Sequence, residues 1–252
     1  MAQDDTAQNP ARRAFFRKSL PIIPVTALAA AGGAATLATT EHNHLPPVPG
    51  PAVDMAMADA ARYRPSFFSA DEYRFLQSAV ARLIPQDDLG PGALEAGVPE
   101  FIDRQMGTAY AAGSLWYMQG PFDPNALPEL GYQLKLSPRE VYRLGIAAAD
   151  RWSEKNLGRK FAELSATDQD KALAAMEHGI EDFEGLPSKT FFSMLWTNTR
   201  EGFFSDPLHG GNKGMVGWKL IGFPGARADF MDWVERDEKY PFPPVSIHGQ
   251  RG

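Results

Sequence analysis
Apolar residues recur at helical spacing in five stretches of the chain, with Gly- and Pro-rich segments between them. In the first, Tyr73, Leu76, Val80, Leu83 and Ile84 fall on one face of a helix. They follow Ser69-Ala70-Asp71-Glu72, where the hydroxyl at the N-cap and the carboxylate three residues on can each satisfy a backbone amide of the other, and Pro85 stops the run. A second helix is predicted from Val98 to about Ala112, through Phe101, Ile102, Gln105 and Met106. Ser137-Pro138-Arg139-Glu140 repeats the start signal with proline at the first helical position, and Val141, Leu144, Ala148 and Trp152 carry a third helix to about Leu157. Ser165 caps a fourth, running to about Met176. Leu186-Pro187-Ser188 opens a fifth, through Phe191, Phe192, Leu195, Trp196 and Thr199.

Leu115 to Leu136 is aromatic and broken by Gly120, Pro121, Pro124, Pro128 and Gly131, which reads as an ordered loop. Beyond Gly202, glycine, proline and aromatics mix without a period, and strand alternation is sparse throughout. The pattern predicts a mostly α protein: a single helical domain over residues 66–252, with long ordered loops and an irregular C-terminal third, preceded by a signal peptide.

That leader is read from residues 1–38. Arg12-Arg13-Ala14-Phe15-Phe16-Arg17-Lys18 has paired arginines, two hydrophobic positions and then basic ones, and it resembles the twin-arginine export consensus. A mildly apolar run from Ser19 to Ala38 follows, with small-residue exits at Ala29 to Ala31 and Ala35 to Ala38 that suit signal peptidase. A bilayer span needs about 20 predominantly apolar residues. Pro21, Pro24, Gly32 and Gly33 weaken this stretch, so it reads as a signal rather than an anchor. Residues 39–65 hold Pro46, Pro47, Pro49 and Pro51 and read as a Pro-rich linker or arm. Twin-arginine transport carries folded cargo, commonly with a cofactor or partner bound.

Charge and composition narrow the chemistry. The net charge is −6; subtracting the leader's +2 leaves −8 on the body, the wrong sign for a phosphate backbone, so nucleic acid is not an expected partner. The chain has no cysteine, which excludes disulfides, thiolate metal sites, iron–sulfur ligation and cysteine nucleophiles. No Gly-x-Gly-x-x-Gly follows a strand and no phosphate-binding loop occurs, so no cofactor is assigned to this chain.

Two histidines invite a closer look. His178 lies in Glu177-His178-Gly179-Ile180-Glu181-Asp182, which reads as a solvated acidic helix end, since no second ligand set has metal-binding spacing. His209 lies in Phe203-Phe204-Ser205-Asp206-Pro207-Leu208-His209-Gly210-Gly211-Asn212-Lys213-Gly214. Asp206 and His209 would serve a stand-alone exported hydrolase, the alternative reading. So short a span cannot by itself set up a relay, and a loop needing positive φ at Gly210, Gly211 or Gly214 is the reading preferred here. The aromatics after residue 190 exceed what one small helical core needs. Phe203, Phe204, Gly210, Gly211, Trp218 and Phe223 are therefore expected at a partner interface.

Taken in order, these segments resemble a known family. They are the leader Arg12-Arg13-Ala14-Phe15-Phe16, the stretch Phe68-Ser69-Ala70-Asp71-Glu72 to Ala81-Arg82-Leu83-Ile84-Pro85, and Ala96-Gly97-Val98-Pro99-Glu100-Phe101-Ile102-Asp103. Gly202 to Asn212 and Gly217-Trp218-Lys219-Leu220-Ile221-Gly222-Phe223-Pro224-Gly225 complete the set. Over most of residues 66–226 the chain is similar to the small (gamma) subunit of membrane-bound, flavin-dependent gluconate 2-dehydrogenase. Its insert around Trp116-Tyr117-Met118-Gln119-Gly120 is similar to the gluconate-type members. The resemblance implies a periplasmic complex at the outer face of the cytoplasmic membrane, with membrane association through the complex. A large FAD-binding subunit would oxidise the sugar acid and a multihaem cytochrome c subunit, carrying haem c, would pass electrons on. The small subunit would hold no redox centre and would serve assembly, stability and export of the large subunit through the twin-arginine translocase.

Overall fold
Ser69 sets the first helix. Its hydroxyl accepts from the Glu72 amide (3.3 Å) and its own amide donates to the Glu72 carboxylate (2.8 Å), closing the box that starts α1, Ala70–Leu83. The computed structural model describes residues 63–252, apart from Pro124, Glu181 and Asp182. The leader, with Arg12, Arg13, Phe15 and Phe16, and the arm up to residue 62 lie outside the described residues.

α2, Val98–Gln105, begins after Gly97 in the left-handed conformation (φ 76°). It stops seven residues short of the expected Ala112. The Thr108 hydroxyl donates to the Gln105 carbonyl (2.7 Å) and takes an acceptor that a continuing helix would use, and successive turns carry the chain on to Leu115. α3, Pro138–Leu157, starts with the Glu140 carboxylate accepting both the amide (2.7 Å) and the hydroxyl (2.6 Å) of Ser137. α4, Ala166–His178, is capped by Ser165, whose hydroxyl accepts from the Asp168 amide (3.2 Å). α5 is Ser188–Phe204 and the short α6 is Val216–Ile221. The C-terminal stretch is thus less irregular than its sequence suggests. Among the described residues there are six α-helices, isolated β-bridges but no strand, and no helix long and apolar enough to cross a membrane.

α5 is the axis of the core, in contact with α1, α2, α3, α4 and α6. Phe191 and Leu195 on it are buried, as are Phe75, Leu76 and Val80 of α1 and Ile146 of α3, and the Phe75 and Phe191 rings lie 6.0 Å apart. Each such side chain contributes about 1.5–3 kcal/mol by leaving water. α3 comes close to α5 because Gly145 faces the Phe191 ring; a Cβ there would lie 2.2 Å from a ring carbon. The apolar face of α3 is rotated from the expected one. Tyr142, Ile146 and Ala149 join Val141 and Ala148 inside, while Leu144 is exposed.

Buried polar side chains tie loops to this core. Asp103 of α2, fully buried, receives the Tyr63 hydroxyl (2.7 Å), the Ser66 amide and hydroxyl (2.7 and 2.9 Å) and the amides of Phe67 and Phe68 (both 3.0 Å). Burial pushes its pKa up, but these hydrogen bonds outweigh it and hold the carboxyl below the usual aspartate range. Asn198 of α5 accepts from Tyr142 (2.9 Å), and its amide donates to Tyr110 (3.2 Å) and Glu201 (2.9 Å), fastening the stretch after α2 to the core.

Candidate functional site
The glycine-rich loop between α5 and α6 is built by close approach. Gly211 lies so near the Gly202 carbonyl that a Cβ would be 2.2 Å from it, and Gly217 stands in the same relation, at 2.1 Å, to the Phe203 carbonyl. Gly210 (φ 94°) and Gly214 (φ 65°) take the left-handed conformation, as expected, whereas Gly211 is required for space instead. Asn212, fully buried, closes the loop: its amide donates to the Ser205 carbonyl (2.8 Å) and its carbonyl accepts from the Gly217 amide (2.8 Å). Lys213 pins the loop to α2. Its amide donates to the Ala96 carbonyl (2.9 Å) and its ammonium meets the buried Glu100 (2.6 Å), which also pairs with Arg104 (2.5 Å).

Side chains that suggested hydrolysis are occupied otherwise. The Asp206 carboxylate accepts from the amides of Leu208 (3.0 Å) and Ile247 (2.8 Å), and the Ser205 hydroxyl donates to the Gly202 carbonyl (3.2 Å). Asp206 therefore caps a turn and holds the C-terminal segment, and no Ser–His–Asp relay forms among the described residues. The His178 Nδ1 meets the carbonyl of Ala174 one turn back (2.6 Å). No group of three or more metal-ligating side chains occurs among the described residues; Glu181 and Asp182 lie outside them.

The six residues expected at an interface divide. Phe203 (1% exposed) and Trp218 (6%) belong to the interior of this chain, a correction to that expectation. The Trp218 indole donates to the Phe204 carbonyl (2.7 Å), which seats α6 against the end of α5. Gly210 and Gly211 are buried too, Gly210 in the left-handed conformation against the Arg104 side chain and Gly211 against the Gly202 carbonyl, where only a bare backbone fits. Phe204 is half-buried. Phe223 alone of the six is well exposed (45%), its ring edge-on to Trp218 at 5.2 Å. It has companions that sequence reasoning missed: Leu220, Ile221 and Leu208 are exposed as well. A signal for two of them existed. Val216-Gly217-Trp218-Lys219-Leu220-Ile221 is apolar nearly all round, and a surface helix can bury only one side.

A second apolar surface is the loop from Gly107 to Leu136, where Leu115, Tyr117, Leu127 and Leu130 are exposed. It encloses a cleft of about 570 Å³ between Trp116, Tyr117, Phe122, Leu130 and Tyr132. Burial pushes the Tyr132 phenol up to about 12. The loop's ends meet where the Arg139 amide donates to the Ala111 carbonyl (3.2 Å).

Fold and surface together define a small helical domain whose interior polar groups hold loops in place and whose spare apolar side chains stand on those loops. A family model described as gluconate 2-dehydrogenase subunit 3 matches residues 70–225, and the chain belongs to that family, that of a subunit of a gluconate 2-dehydrogenase complex. The match spans α1 to α6 and ends before the C-terminal segment 226–252. No curated protein and no solved structure matches the chain.

Proposed function
We propose that this chain is the non-catalytic small subunit of a periplasmic, flavin-dependent sugar-acid dehydrogenase. In this reading it binds the large FAD-carrying subunit, stabilises it and takes it through the twin-arginine translocase, and a multihaem cytochrome c subunit completes the complex at the outer face of the cytoplasmic membrane. The observation that carries this reading is membership of the subunit 3 family across the whole helical core. The paired Arg12 and Arg13, with Phe15 and Phe16, support the export part, and the exposed Leu220, Ile221 and Phe223 support a docking part.

The test is the double substitution Arg12→Lys, Arg13→Lys in cells that also express the large subunit. The expected result is dehydrogenase protein stranded in the cytoplasm, with periplasmic activity lost. Wild-type periplasmic activity in that strain refutes the escort role. Docking is tested separately by capture of the large subunit on the purified chain.

A further inference from the structure
The cleft in the Gly107–Leu136 loop has the chemistry of a proline receptor. Its walls are rings: Trp116 packs on Tyr132 at 4.7 Å between centroids and edge-on to Tyr110 at 5.7 Å, with Tyr117 and Phe122 beside them. Its other polar groups are spent within the loop. The Tyr132 hydroxyl donates to the Leu136 carbonyl (2.7 Å), and the Gln133 side chain serves Leu130 (3.2 Å) and Asp123 (3.3 Å). The Trp116 indole N–H has no acceptor among the described residues. Such a surface offers ring faces and a hydrogen-bond donor. A polyproline II strand needs that combination, because its prolines present apolar rings and unpaired carbonyls but no N–H groups.

This chain carries a proline-rich sequence of its own that suits such a strand. We propose that the cleft is the seat of Pro46-Pro47-Val48-Pro49-Gly50-Pro51, so that the arm behind the leader folds back onto the helical domain. The path supports this occupant. The described chain begins at Tyr63, and Phe67 already shares a second cleft, of about 380 Å³, with Leu136, Arg139 and Arg143. Leu136 is also the partner of Tyr132, so the two clefts adjoin. Eleven residues separate Pro51 from Tyr63, and the segment can reach about 40 Å when extended. The seat does not depend on which enzyme the chain serves.

The absence of native cysteine makes a direct test possible. In the full chain, Val48→Cys is paired with Leu130→Cys on the cleft wall, or with Leu208→Cys as a control. Leu208 is a stringent control: Gly210 packs on Arg104, whose guanidinium lies over the Tyr63 ring at 5.8 Å, so proximity to the arm's root favours it. Under mild oxidation the cleft pair should close within one chain at least tenfold faster than the control. Replacing Pro46, Pro47 and Pro49 with Ser, which leaves the described domain untouched, should bring it to the control rate, as should Trp116→Ala in a variant with an unchanged melt. Equal rates in the two pairs overturn the proposal. Cross-linking between chains as the main product of the cleft pair overturns it in favour of a second copy as occupant. Undiminished closure in the Pro→Ser variant overturns the polyproline II recognition.

Discussion
Asp103 shows how much one side chain can organise. It joins a buried helix to residues far back in the chain, and it does so as an anion. An unfolded aspartate titrates near 3.9, and Asp103 in the folded chain titrates below that. Its contribution is therefore complete above about pH 4 and is lost as pH falls through the folded value. The protection of the Ser66, Phe67 and Phe68 amides, taken relative to their intrinsic exchange at each pH, should hold down to about pH 4 and fall below it, while Asp103→Asn should expose these amides at neutral pH. Equal protection in the Asn variant would mean that packing, not charge, holds the segment. Asp150 is the opposite case. Burial raises its pKa, although the Phe161 amide (3.1 Å) and Lys160 work against the rise. Its ionised form thus costs stability once pH exceeds both its unfolded and its folded values. Asp150→Asn keeps an acceptor for Phe161 and should raise Tm at pH 7 by about 1–3 °C, read by calorimetry.

At the scale of elements, the starts of α1, α3 and α4 were legible because their signals are local: Ser69, Ser137 and Ser165 each meet a carboxylate-bearing residue three positions on. The end of α2 and the shape of the glycine-rich loop were not. Asn212 and Lys213 take their meaning from Gly217, Ala96 and Glu100, which no period in the sequence links to them. The same holds for Trp218, an aromatic that reads equally well as core or surface until its indole finds the Phe204 carbonyl. Two outcomes separate the sides of α6. Trp218→Ala should cost the isolated chain about 3–5 kcal/mol, seen as a collapsed thermal melt. Leu220→Ala and Phe223→Ala should leave the melt nearly unchanged and, if either is a hot spot, weaken capture of the large subunit by about 2 kcal/mol. The contact between α3 and α5 sets a third: Gly145→Ala drives a carbon into Phe191 and should cost about 1–3 kcal/mol in chemical denaturation.

At the scale of the molecule, helical content and family were legible in the order of short segments, while the exposed apolar surfaces were not, because exposure depends on what the rest of the fold leaves uncovered. Buried charge follows the same logic. Glu100 is 4% exposed and balanced by Lys213 and Arg104, which draw the glycine-rich loop and α2 together. Glu100→Ala should cost about 3 kcal/mol, since it strands the enclosed Lys213 ammonium while the half-exposed Arg104 can turn to water, and a melt shifted by less than a degree would show the pair to be idle.

The hydrogen bond from Arg139 to Ala111 has a consequence for how such a chain can change over generations. It clasps the loop at its neck, so everything from Gly113 to Leu134 hangs outside a closed ring and can lengthen, shrink or be exchanged while the helices stay in register. Loop closure grows only slowly with length, each doubling costing about 0.6 kcal/mol. Replacing residues 113–134 with a short Gly-Ser turn should accordingly leave a folded helical protein, with its melt lowered by only a few degrees. The loop is then a detachable cassette: the lineage can rewrite the surface it presents without renegotiating how it folds.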